Sequence, residues 1–71
     1  MSMVHSGNRT YDEGVASSVE RLQSALSTAT TQAQHNTANA AHFRRCLALA
    51  KSNGGPVAFW IAALAEIGAT P

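Results

Sequence analysis

Two side chains in this sequence have the types and spacing for covalent or metal chemistry. His42 and Cys46 lie four residues apart, so on a helix they share one face. A cysteine beside a histidine can form a nucleophile pair or half of a metal site. Either use needs a third group. The nearest, His35, lies two helical turns back, too far to join one ion within a single chain. The packing alternative makes Cys46 a small apolar residue beneath a neighbouring helix. No set of Cys and His has zinc-ligand spacing, so neither a metal site nor a cofactor is expected.

His35, Asn39 and His42 fall on one helical stripe. Two such stripes could meet in an oligomer around an anion or metal, or simply form a solvated polar face. Arg44, Arg45 and Lys51 make the one basic cluster, suited either to phosphate contacts or to solubility near a helix C-terminus. The acidic residues number 4, and Asp12, Glu13 and Glu20 crowd the first third of the chain. Without a carboxylate pair, a nucleotide loop or a triad, an enzyme is not expected.

Composition narrows the remaining classes. The chain has 71 residues, at most one domain, and a core this small is marginal unless something staples it. A single cysteine rules out an intrachain disulfide, which leaves oligomerisation as the expected staple. Charged residues make up only 13% and the net charge is +1, too weak a field to steer nucleic acid or anionic lipid. Low charge combined with much Ala, Thr and Gln fits helix surface covered by other copies. The N-terminus lacks a basic start followed by an apolar stretch, so no signal peptide is expected and the cytoplasm is the default. Leu22 to Phe43 carries no formal charge, but Gln32, Gln34, His35, Asn36 and Asn39 argue against a membrane span.

The elements that must position these residues are helical, and the expected fold class is all-α. Residues 1–9 lack periodicity and read as a disordered tail. Thr10-Tyr11-Asp12-Glu13 has the pattern of a capping box. Beyond it apolar or small residues recur at alternating steps of four and three: Val15, Val19, Leu22, Leu26, Ala29, Ala33, then Asn36, Ala40, Phe43, Leu47 and Ala50. That is a heptad seam in phase for about five repeats. It predicts one long helix across residues 10–52, with a break at His35-Asn36-Thr37 as the alternative. Asn36 in the seam would fix register between copies.

Asn53-Gly54-Gly55-Pro56 is a stop followed by a start, and residues 57–68 read as a short second helix. That helix is apolar almost all round, with Phe59, Trp60, Ile61, Leu64 and Ile67 as its expected core. Its lack of polar and basic side chains excludes DNA readout by a helix-turn-helix. At ~1.5 Å per residue the long helix would run roughly 60 Å, so the short one could cover only its last turns. The rest of the seam would need copies of the chain, giving a helical hairpin that assembles as a homo-oligomeric bundle.

Ala50-Lys51-Ser52, then four residues, then Val57-Ala58-Phe59-Trp60 resembles a C-terminal pattern in small phage proteins that sequester the cyclic oligonucleotides of bacterial CBASS defence. The resemblance covers about a dozen residues, and Gly54-Gly55-Pro56 departs from it, because that family has a continuous helix there. It implies a helical, oligomeric, non-enzymatic sponge. Tyr11 would then stack on a base, with Arg44, Arg45 and Lys51 at the phosphates. The leading expectation remains a small interaction protein that binds itself and then a protein partner. A cyclic-oligonucleotide sponge is the second reading and a polymerising structural subunit the third.

Overall fold

The computed structural model describes residues 9–71, which form three helices: α1 Arg9–Thr28, α2 Gln32–Asn53 and α3 Val57–Glu66. The all-α fold class holds. The single long helix does not: the chain turns back at Ala29-Thr30-Thr31, six residues before the alternative break at His35-Asn36-Thr37. The reason is local chemistry. Thr31 is an N-cap whose hydroxyl accepts from the Gln34 amide at 3.1 Å, and Gln34 reaches back to complete a capping box. Gln34 Oε1 accepts the backbone N–H of Thr30 at 2.6 Å and that of Thr31 at 3.2 Å. Asn36 is an exposed side chain within α2, where it accepts from Gln32 Nε2 at 3.0 Å.

The turn lets the apolar stripe of α1 meet that of α2 in an antiparallel hairpin. The described chain measures 39 × 22 × 16 Å, well short of the rod expected from one helix. Thr10 is already inside α1, so it does not cap that helix. Most of the expected N-terminal tail, residues 1–8, lies outside the described residues, and Arg9 is helical.

The expected stop at residues 53–56 is present. Gly54 takes the left-handed conformation at φ 73°, and the Gly55 amide reaches back to Ala50 O at 2.8 Å. This closes a Schellman motif. Pro56 sits at the N-cap of α3, one residue before the first helical position. The same device ends α3 two residues earlier than its expected boundary: Gly68 has φ 72°, and the Ala69 amide donates to Leu64 O at 2.9 Å.

α3 packs on α2, and α2 on α1. The core consists of Ala40, Cys46, Leu47, Ala50, Trp60 and Leu64, with Tyr11, Val15, Phe43, Val57, Ala63 and Ile67 packed around it. It therefore lies at the end of the hairpin that α3 covers. Val15, Val19, Leu22 and Leu26 are half-buried against α2 within the same chain. Ala29 is half-buried in the turn, and Ala33 is exposed. Of the expected short-helix core, Trp60 and Leu64 are buried and Ile67 is half-buried, but Phe59 and Ile61 point outward. α3 packs mainly on α2 and touches the start of α1 through the Trp60–Tyr11 hydrogen bond, so the side that carries Phe59 and Ile61 is left uncovered. Among the described residues no helix is long and apolar enough to cross a membrane.

Candidate functional site

The chemistry-bearing residues gather where α1 crosses the middle of α2. Ser18 lies three residues after Val15 and four before Leu22, which sets it on the inward face of α1, where it is 3% exposed. Its hydroxyl is 2.8 Å from His42 Nδ1 on α2. Arg45, one turn further along α2, donates Nε–H to the same hydroxyl at 2.8 Å and Nη2–H to Ser18 O at 3.2 Å. A guanidinium can only donate, so Ser18 Oγ accepts from Arg45, and its own proton and second lone pair remain for the contact with His42 Nδ1, whose direction follows the histidine tautomer. Cys46 Sγ lies 3.8 Å from both ring nitrogens, and Trp60 packs nearly perpendicular to the imidazole, with ring centroids 5.9 Å apart.

The electrostatics keep this cluster neutral apart from Arg45. Burial, reinforced by the nearby Arg45 charge, pulls the His42 pKa below its usual value, although the contact with Ser18 opposes the shift. Burial raises the Cys46 thiol against the smaller opposing pulls of Ser18 and Arg45. Cys46 is fully buried and its thiolate is disfavoured, so it has neither the access nor the charge of a nucleophile. The Ser18–His42 contact resembles half of a catalytic pair, but its hydroxyl is buried and already engaged by Arg45. The cluster acts as a polar lock between α1 and α2. It also explains how His42 can be only 6% exposed: its polar atoms are matched inside the core. His35, the other histidine of the expected stripe, is half-buried one helical turn beyond Asn39. Among the described residues no group of three or more His, Cys, Asp or Glu side chains could hold a metal ion.

The four residues expected to bind a ligand do not converge within one chain. Tyr11 is committed to structure. Its hydroxyl accepts from Trp60 Nε1 at 2.8 Å, and its ring lies so close over Gly55 that a Cβ there would sit 3.1 Å from Cε1. Arg44 turns toward the C-terminal stretch, donating to Thr70 O at 3.0 Å, whereas Arg45 turns toward α1. Lys51 is exposed in the last turn of α2. Arg21, which sequence reasoning passed over, is exposed beside Arg45 along an open groove of about 410 Å³ between α1 and α2. The groove follows two matched stripes, Gly14, Ser17, Ser18 and Arg21 on α1 and Arg45, Ala48, Leu49 and Ser52 on α2. Each stripe has the i, i+3, i+4, i+7 spacing of one helix face. A second open groove of about 500 Å³, walled largely by Ala25, Ala29, Ala33, Ala38 and Ala41, lies around the turn at the opposite end.

No protein-family model, curated protein or solved structure matches the chain. The reading of function therefore rests on its own residues.

Proposed function

We propose that this chain is a small, non-enzymatic interaction protein that associates with copies of itself and presents α3 as its contact surface. One observation carries the reading: Phe59 is 61% exposed and Ile61 40% exposed, on a helix whose only charge is Glu66. Large apolar side chains held outward on a rigid, charge-poor helix are the usual anchors of a protein interface. Phe59 is held in place by an edge-to-face contact with Trp60, ring centroids 4.8 Å apart. An anchor already fixed in one orientation loses little freedom on binding. The alanine-walled groove at the far end offers a complementary surface, uncharged and lined by small residues, on which the α3 of a second copy can seat. A single buried cysteine with no disulfide fits the cytoplasm as the working compartment.

Sedimentation equilibrium tests this. The wild type is expected to show a multiple of 7.4 kDa at micromolar concentration, and Phe59→Glu with Ile61→Lys is expected to return it to 7.4 kDa with helicity intact. A mass of 7.4 kDa for the wild type throughout that range refutes the proposal. Leu22→Glu is a poorer probe, because Leu22 also supports the hairpin within the chain. The cyclic-oligonucleotide reading has less support, because Tyr11 and Arg44 are occupied by Trp60 and Thr70. A thermal shift with cyclic dinucleotides would restore it. Pelleting without a defined size would favour the polymerising subunit instead.

A further inference from the structure

The groove between α1 and α2 has a chemistry that self-association does not use. Its two lining charges are both guanidinium groups, Arg21 and Arg45, and no carboxylate lines it. The contacts between Gly14 and Leu49 and between Ser18 and Arg45 fix the antiparallel register, and in that register Arg21 lies at the same end of the groove as Arg45. Two like charges brought to one end of a cleft repel unless an anion lies between them. Arg45 is held in a fixed pose, because Nε–H and one Nη2–H go to Ser18, and its remaining N–H donors are left for a ligand. Arg21 has no partner among the described residues, and the Ser17 hydroxyl lies one turn from it on the same face. A guanidinium fork suits carboxylate and phosphate alike, but two guanidinium groups and a nearby hydroxyl offer more charge and more donors than a single carboxylate uses, and they suit the several oxygens and higher charge of a phosphate.

The other end of the groove is different. Ala48 and Leu49 form an apolar wall there, and Leu49 fits so closely over Gly14 that any Cβ at residue 14 would lie 2.7 Å from both its terminal carbons. A volume of about 410 Å³ far exceeds that of a phosphate ion and falls within the range of small-molecule sites. The geometry points to a binding site for a phosphate monoester, with the phosphoryl group between Arg21 and Arg45 and the organic part along Ala48 and Leu49. The inference is independent of the self-association proposal, since the groove and α3's outer face are separate surfaces.

Titration of the full chain with AMP, adenosine and inorganic phosphate, followed by ¹H–¹⁵N NMR, tests it. AMP is expected to shift the Arg21 and Arg45 Nε–H signals and the Ser17 amide saturably. Inorganic phosphate is expected to move the same arginine signals with weaker affinity, and adenosine alone to move none of them. Arg21→Gln is expected to weaken AMP binding by about tenfold or more, the loss of one charge-assisted contact, while the rest of the spectrum is retained. Ser17→Glu, which places a carboxylate one turn before Arg21 as an internal competitor, is expected to abolish binding. The site is refuted if AMP gives no saturable shift, or if Arg21→Gln binds as tightly as the wild type. Shifts centred on Arg44 and Lys51 would refute it equally. Equal affinity for AMP and inorganic phosphate would refute the organic half of the assignment.

Discussion

The two ends of the hairpin are built from similar helices but are held together by different means. At the end covered by α3, large side chains interlock: Trp60, Leu64, Leu47 and Cys46 are buried, and Tyr11 and Phe43 seal them. At the turn end the stripe continues as Leu22, Leu26, Ala29 and Ala33, none of them buried, and order comes from hydrogen bonds around Thr31 and Gln34. Burial contributes roughly 25 cal/mol per Å² of apolar surface, so the first end, where the large side chains are fully buried, carries more of the hydrophobic stabilisation than the half-buried turn end. An apolar third element, and not helix length, makes the difference. Where α3 is absent, alanine and threonine suffice to hold a turn but not to build a core.

The sharpest way to break this comparison is Trp60→Ala. It removes a ring that contacts His42, Phe43 and Phe59 and donates to Tyr11, and it should cost about 3–5 kcal/mol. Urea unfolding is expected to show α3 detached or the chain unfolded, since a domain this small has little stability in reserve. Ser18→Ala comes next. It leaves His42 Nδ1 and part of Arg45 without their partner and should cost about 1–3 kcal/mol in the same assay. Ser24→Ala, on the exposed surface of α1 nearer the turn, should change stability by less than about 0.5 kcal/mol.

The same lock sets a pH window. His42 titrates below its usual 6.5 in the fold, so the unfolded chain takes up a proton first as pH falls, and stability is lost from 6.5 downward until the folded form also titrates. Cys46 is raised above 9.0, so the unfolded thiol ionises first, and stability is lost as pH rises beyond 9.0. Melting temperature measured against pH should therefore be flat between these limits with respect to these two groups. His42→Gln should remove the acid limb, and Cys46→Ala the alkaline one.

At the turn itself the expected effects are modest. Thr31→Ala should cost about 1 kcal/mol by removing the cap. Asn36→Leu should stay within about 0.5 kcal/mol of the wild type, because Asn36 is exposed and bonds only to Gln32. A clear rise in melting temperature for Asn36→Leu would instead indicate that residue 36 faces another copy in solution.

Much of this fold could be read from residue types. The glycine pair before Pro56 marked the second turn, and the run from Val57 to Ile67 marked a helix needing cover, with Trp60 in its core. The first turn was misplaced because its flanking residues are alanines. Ala29 and Ala33 fit a seam as readily as a loop, and so two separate stripes read as one continuous helix. The telling pattern was Thr31-Gln32-Ala33-Gln34, a capping box of the same form as Thr10–Glu13, but set where the apolar spacing still ran in phase. The polar lock could not be found from spacing at all. Ser18 and His42 are 24 residues apart and meet only because the chain folds back between them. Arg21 was missed for the same reason: its neighbour Arg45 lies across the hairpin.

The hydrogen bond from Trp60 to Tyr11 joins residues 49 positions apart. Its consequence concerns the order of events in folding. The α1–α2 hairpin closes through a three-residue turn, which requires little loop entropy and proceeds quickly. The Tyr11–Trp60 clasp forms only once the hairpin has brought the start of α1 alongside the end of α2 and α3 has docked there. It should therefore be among the last contacts made and the first released. Because its donor is the chain's single tryptophan, that late step has its own fluorescent reporter: Tyr11→Phe should speed unfolding while leaving the folding rate nearly unchanged.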